Sequence, residues 1–330
     1  MNIKMNKLTK SLFITLIAGI FAVYMAGCNN NSVTTDTQTD DGYINEVVGA
    51  TNDTHIQEDD NNIFANEKSD LDDGSMVKNH DSDTPIDSLL RWGRRITSVN
   101  VNANITNSGD TMKTVIVTKT ITGNYYILGI VNGQQDTIVK PYTQVLHRTA
   151  IFKRVNRTEH PRLNWRLYQV SMLDGNTTLP QNSNDFVQMQ LVQVYINGVL
   201  TYTFNGPDFT QNMFTTRRFN GAGIPLVHIG DNVRIVITVN SAEPEQDYVA
   251  WHWSKNTFGF HREPFVMITQ VPNGTGFTRT FEKSFSIFNG HLNGCTYNGY
   301  ISASTHKSLY DDSPSEFSSD VIGFAYRINP

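Results

Sequence analysis

From residue 86 to the C-terminus, apolar and polar positions follow a period of two. In Val233-Arg-Ile235-Val-Ile237-Thr-Val239 the odd positions are apolar. A strand sends successive side chains to opposite faces, so all four would meet one core. Val187-Gln-Met189-Gln-Leu191 alternates in the same way, but Val192, Val194 and Ile196 continue on the other parity. A β-bulge at Leu191-Val192 is expected to bring both sets to one face. Turn chemistry punctuates the pattern: Asn-Gly pairs begin at 132, 197, 205, 220, 273, 289, 293 and 298, with Asp-Gly at 174. These pairs supply the positive φ angles of tight hairpin turns. One short helix is expected before the strands. Thr84 can cap it, Pro85 suits its first turn, and Asp87 precedes Leu89 and Leu90, with Gly93 ending it.

The fold class is therefore all-β. Strands are expected near 96–106, 112–122, 125–131, 144–155 and 164–173, enough for a small barrel or sandwich. The polar stretch Gly175 to Asn184, with Pro180, reads as a linker dividing a first β domain at 86–176 from a second at 185–330. Short alternating strands joined by turns from 187 to 254 resemble an immunoglobulin-like or fibronectin-like sandwich. The Cys…Trp…Cys pattern of immunoglobulin domains is absent, so the resemblance implies architecture alone.

Residues 29–85 differ in kind. They carry 14 acidic residues against Lys68 and Lys78, a net charge of −12, while the chain from 86 onward has 21 basic and 17 acidic residues. Ile44, Val47, Val48, Ile63 and Phe64 show no sustained period. Such a segment cannot offset its ordering entropy by burial, and a disordered acidic tether is expected over 28–85. As a coil it would span roughly 40 Å. Asp70-Leu-Asp72-Asp73-Gly74 fails the EF-hand register, because the glycine falls fifth and Asp81 occupies the twelfth place.

At the N-terminus, Lys4, Lys7 and Lys10 precede an apolar run from Leu12 to Met25. That is the layout of a signal peptide, and the run is shorter than the roughly 20 residues a membrane helix needs. It ends in Met25-Ala26-Gly27-Cys28, which resembles the lipobox of bacterial lipoproteins. The resemblance implies removal of residues 1–27, lipid attachment at Cys28 and a membrane anchor in the cell envelope. Two or three acyl chains hold for long times where one does not. Asn29 in place of Asp favours the outer membrane. Lipidation of Cys28 leaves Cys295 without a partner, so the fold must rest on its core, with Cys295 as a small buried hydrophobe.

No catalytic motif emerges, and a non-enzymatic binding or envelope-structural module is the expected function. A glycan-binding surface protein and a hydrolase with a site assembled only in three dimensions are the alternatives. Ser304-Thr-His-Lys307 has the Ser-x-x-Lys spacing of penicillin-interacting enzymes, but it reads as strand running into a turn, without their companion motifs. In Trp251-His252-Trp253 the two tryptophans would share a core face with Val249 while His252 points outward; with His261 and Glu263 the spacing matches no recognised ligand set. His147, Arg148, Lys153, Arg154, Arg157, His160, Arg162 and Arg166, with Phe152 and Trp165, form the most basic region. It reads as a hairpin with a charged outer face. An extracytoplasmic address excludes nucleic acid as partner and leaves a glycan or an envelope protein. No cofactor is expected beyond a structural calcium ion, for which Asp311, Asp312, Glu316 and Asp320 are the candidates.

Overall fold

The computed structural model describes residues 39–49, 85–216, 219, 223–253, 261–274 and 276–329. Cys28, the lipobox and the Asp70–Gly74 run lie outside them. The chain from Asp40 onward forms one compact unit. Helix α1 covers Asp40–Gly49. Strands β1 (Ser88–Ser108), β2 (Met112–Val131) and β3 (Gln134–Arg154) follow, then a single turn α2 (Pro161–Asn164), β4 (Trp165–Ser171) and β5 (Leu173–Leu179). Next come β6 (Val187–Ile196), β7 (Val199–Asn205), β8 (Met213–Thr215), β9 (Leu226–Val227) and β10 (Asn232–Ser241). The last elements are β11 (Tyr248–Trp253), β12 (His261–Pro264), β13 (Val266–Asn273), β14 (Gly276–Ser286), β15 (Thr296–Ser304), α3 (His306–Tyr310) and β16 (Ser319–Ile328). The fold is all-β, as its periodicity requires.

Two sheets form. Five strands run in the order β13-β14-β10-β6-β7, and eleven build the larger sheet along the path β1-β2-β3-β5-β16-β15-β11-β12. The smaller sheet obeys the sequence pattern. Val233, Ile235, Ile237 and Val239 are all buried on one face of β10. On β6, Val187, Met189, Val192 and Val194 are buried with them, because the register against β10 skips from Leu191 to Met189. The bulge falls at Gln190, beside the expected position, and does what parity demanded. Asn132-Gly133 and Asn197-Gly198 take positive φ at both residues and close the β2–β3 and β6–β7 hairpins.

Four expectations change. No helix forms at 85–90: Ser88 and Leu89 already pair with Ile130 and Gly129, and Ile86 and Leu89 are buried in a core, while Thr84 lies outside the described residues. Strand pairing along 20 residues outweighs a local capping pattern. Gly123-Asn124 does not break the second strand, because β2 needs a glycine there. A Cβ at Gly123 would lie 2.5 Å from the Arg95 carbonyl oxygen and 2.9 Å from the Tyr142 hydroxyl. Asp174-Gly175 and Asn298-Gly299 are strand residues rather than turns, for the same reason of close approach. Finally, 175–184 does not separate two sheets. β5 pairs with β3 on one side and with β16, from the end of the chain, on the other.

Within the expected tether, Asp40–Gly49 is a helix with Ile44, Val47 and Val48 buried. Those three positions stand at i, i+3 and i+4, the spacing of one helical face. They join Val115, Val117, Ala150, Phe152 and Trp165 in the core between the sheets. Asp40 pairs with Arg154 at 2.6 Å and Asp41 with Lys113. Both cations lie over the Trp165 ring. A second core, with Trp92, Tyr125, Tyr142 and Phe317, lies along the rest of the long strands.

Candidate functional site at the aromatic end of the sandwich

Strand β11 places Trp251 and Trp253 on the face toward the smaller sheet. Trp251 is opposite Ile301 on one neighbour and Glu263 on the other. Its indole lies across Gly299, where a Cβ would stand 1.9 Å from the ring. The ring stacks on Phe285 at 5.9 Å and on Phe324 at 5.4 Å. A second tier lies farther out. Trp253 tilts against Phe288 at 5.6 Å and meets His291 edge-on at 6.0 Å. His291 stacks on Tyr297 at 3.9 Å, and Tyr297 on Tyr326 at 5.9 Å. The Tyr297 hydroxyl accepts from the Leu292 amide at 2.7 Å, and burial raises the pKa of both tyrosines, keeping them neutral.

Two small recesses meet here, sharing Trp251, Phe285, Ile287 and Tyr326. Each has about 30 Å³ of free space, room for a couple of waters. The inner one continues between the sheets along Val194, Ile196, Val233 and Ile235 and is wholly apolar. The outer one carries Glu263 at its rim, paired with Lys283 at 2.8 Å. Trp253 and Phe288 are half-buried, so a ligand would meet ring faces and edges at the opening rather than an enclosed cavity.

His252 points to the opposite face, as alternation requires, but that face is covered too. It is buried, stacks on Tyr300 at 4.0 Å and has Nε2 2.9 Å from the Ser302 hydroxyl. The expected outward histidine is a core residue because the larger sheet is buried on both sides here. A histidine at that distance from a serine is also how a nucleophile is activated. Ser302 is 7% exposed, and the space lined by His252, Tyr300, Arg94 and Trp92 is about 20 Å³, one water's room. The bond pins β11 to β15.

The remaining sequence candidates are dispersed. Ser304 donates to Ser319 at 3.0 Å, while Lys307 stands 3.5 Å from Glu243. Their spacing therefore serves two separate contacts. β3 and β4 pair as the expected basic hairpin, with Lys153 opposite Arg166. Phe152, Trp165 and Arg148 are buried within it, and α1 supplies Arg154 with its acid. Of the calcium candidates, Asp311 accepts from the Ser313 amide and the Glu316 carboxylate from Gln181. The amino group of Lys140 enters the same loop and donates to the carbonyls of Lys307 and Glu316, at 2.9 and 2.7 Å. Burial lowers the Lys140 pKa to about 8 against the pull of Asp311, Glu316 and Asp312. Asp320 turns into the body instead and accepts from the Met189 amide at 2.7 Å. Among the described residues, no group of three or more His, Cys, Asp or Glu is placed to hold a metal ion. Cys295 is half-buried rather than buried.

Sequence reasoning placed Asp320 among loop calcium candidates and Asp174 in a turn, and missed that Asp320 is buried and Asp174 half-buried in the body of the fold. Burial raises Asp320 to about 8 and Asp174 to about 7, and the charge of Asp174 adds to the effect on Asp320. Neither lines the recesses above.

No protein-family model matches the chain, and no curated protein matches it. Among solved structures, a GH31 α-xylosidase from Xanthomonas citri is similar at 8% identity over 76% of this chain and 38% of that one, with a TM-score of 0.19. A likeness at that level carries no argument about fold or activity. No helix of the described residues is long and apolar enough to cross a membrane.

Proposed function

We propose that this chain is a lipid-anchored envelope protein whose β-sandwich holds a ligand at its aromatic end without transforming it. The observation that carries the binding reading is the outer recess, where the half-buried rings of Trp253 and Phe288 meet buried His291 and Tyr326, from three segments of chain. Aromatic faces of that kind suit the apolar face of a sugar ring, so a glycan is the ligand class favoured over an enclosed small molecule. The anchor reading rests on the lipobox ending in Cys28.

Isothermal titration of the native chain and of Trp253→Ala against envelope and host glycans tests the binding half. Saturable binding that weakens at least tenfold in the variant supports it; equal binding by both overturns this site. Radiolabelled palmitate tests the anchor: incorporation lost in Cys28→Ser supports it, and retained incorporation refutes it. The hydrolase alternative would run through His252 and Ser302. A fluorophosphonate probe is expected to leave Ser302 unlabelled, and labelling abolished by Ser302→Ala would favour an enzyme.

A further inference from the structure

We propose that the end of the sandwich where helix α1 docks is a bilayer-contact face, whose aliphatic loop tips enter a lipid surface and whose cations meet anionic headgroups. The choice of a bilayer as occupant rests on the anchor reading of Cys28.

Strand pairing puts α1 and those loops at one end. Asn176 of β5 lies opposite both Val145 of β3 and Asp320 of β16, and both pairings are antiparallel. β3 and β16 therefore point the same way, and Arg154 stands roughly level with Asn329. Asp40, at the start of α1, pairs with Arg154. The Asn329 amide donates to the Val227 carbonyl at 2.8 Å, and its side chain meets His228 at 3.1 Å. The turn that begins at His228 is tied to two more loops. Asn197, at the tip of the β6–β7 hairpin, donates to Asp231 at 2.9 Å, and the Gly230 amide donates to the Ile287 carbonyl at 3.3 Å. The loop after Ile287 returns at Gly294, whose amide donates to the Ile328 carbonyl at 2.9 Å.

Each of these loops presents an aliphatic side chain to the outside. Val199 is 66% exposed, Ile229 39% and Leu292 67%, with Leu200 and Leu226 exposed beside them. Apolar side chains gathered at one surface mark a place that another apolar phase covers. The cations lie against α1 itself. Lys153, Arg157 and Arg162 are exposed, with exposed Val155 and Leu163 between them, on the segment that passes through α2. That turn packs against α1. Within 153–166 only Glu159 opposes them, and Asp40 is already committed to Arg154. Cations interleaved with aliphatics are the composition that an anionic lipid surface attracts.

The anchor selects the bilayer and the orientation together. Eleven residues separate Cys28 from α1, a chain that could span at most about 40 Å. β2 and β3 run roughly 65 Å from α1 to the opposite end. The α1 end is thus the one held toward the anchor, and it is the one with the aliphatic tips. Phe288 and His291 of the outer recess belong to the same 287–294 loop, so a glycan held there is one displayed at the headgroup layer.

Vesicle flotation tests the face without the anchor. The chain from residue 28 carrying Cys28→Ser retains the compact unit that starts at Asp40 and cannot be acylated. It is floated with phosphatidylcholine vesicles, with and without one-third phosphatidylglycerol. Binding to the anionic vesicles is expected, with amides at 197–200, 228–230 and 289–294 gaining protection from hydrogen exchange. Val199→Ser with Leu292→Ser is expected to bind at least tenfold more weakly at an unchanged Tm, since both side chains are exposed. Arg157→Glu with Arg162→Glu is expected to lose the preference for anionic vesicles. The proposal is overturned by no flotation, by flotation undiminished in the Val199→Ser, Leu292→Ser chain, or by protection confined to other segments. Flotation without palmitate incorporation in the native chain would uphold this face and refute the anchor; incorporation without flotation would refute this face alone.

Discussion

Strand β11 divides two regions of unlike chemistry. On its Trp251 side the packing is ring on ring with valine and isoleucine, between the two sheets. On its His252 side aromatic rings alternate with cations. The Arg262 guanidinium lies 3.3 Å over Trp92, and that of Arg94 lies 4.6 Å over Tyr300. The difference teaches how one sheet stays buried on both faces. Where polar neighbours exist, a cation is kept charged by π faces and carbonyls. Where they do not, a charge must be closed within a pair or removed by a proton. The sandwich side uses both devices, in Arg279–Asp247 and in Asp320.

The strongest way to break the comparison is at Arg279. It is fully buried and donates to Asp247 at 2.6 Å, to the Glu243 and Pro244 carbonyls at 2.6 and 2.9 Å, and to Gln270. Burial raises the Asp247 pKa to about 6 against the opposing pull of that guanidinium. Arg279→Met strands the carboxylate and should cost about 3–5 kcal/mol in urea unfolding. A loss under about 1 kcal/mol would mean that the sandwich side tolerates a lone charge.

Proton control is the second test. Asp320 and Asp174 are pushed up to about 8 and about 7 from an ordinary 3.8. Between about pH 4 and 8 the folded state therefore holds protons that the unfolded chain has lost, so stability falls as pH rises through that window. The two shifts together imply a decline from pH 5 to 8 on the order of 6 kcal/mol, more than half of it from Asp320. Asp320→Asn can still accept from Met189 and cannot ionise, so it should flatten the decline and raise Tm at pH 8. A native Tm that is flat or rises across this range would show that Asp320 is ionised in the fold.

A smaller, paired test sharpens the contrast. Gly299→Ala drives a methyl into Trp251 and should cost about 1–3 kcal/mol while altering tryptophan fluorescence. Ser302→Ala, across the same sheet, loses the bond to His252 and should cost about 0.5–1.5 kcal/mol without that spectral change. Equal costs and equal spectra would mean that the two faces are packed alike.

Local physics made much of this legible. Val233 to Val239, the parity change near Leu191 and the turns at Asn132 and Asn197 state their structure within a few residues. The pairing of β5 with β16 does not, because it joins residues almost 150 positions apart, from Asn176 to Asp320. Turn dipeptides misled where glycine was needed for close approach, at Gly175 and Gly299. Trp251 and Trp253 could be singled out from sequence as a shared face. Their partners Phe285, Phe288, His291, Tyr297 and Tyr326 could not, since nothing local ties those rings to β11. Ile44, Val47 and Val48 did carry a helical spacing, masked by the acidic composition around them.

The docking of α1 changes how far the protein can reach. A leash running from Cys28 to residue 85 could pay out roughly 200 Å of fully extended chain. With Asp40 and Asp41 fastened to Arg154 and Lys113, only the 11 residues from 29 to 39 separate Cys28 from helix α1, a chain that could span at most about 40 Å. On the proposed anchor, the acidic stretch from 50 to 84 then contributes nothing to distance from the membrane. On that proposal helix α1 would stand no more than about 40 Å from the lipid anchor, whatever the length of the acidic stretch.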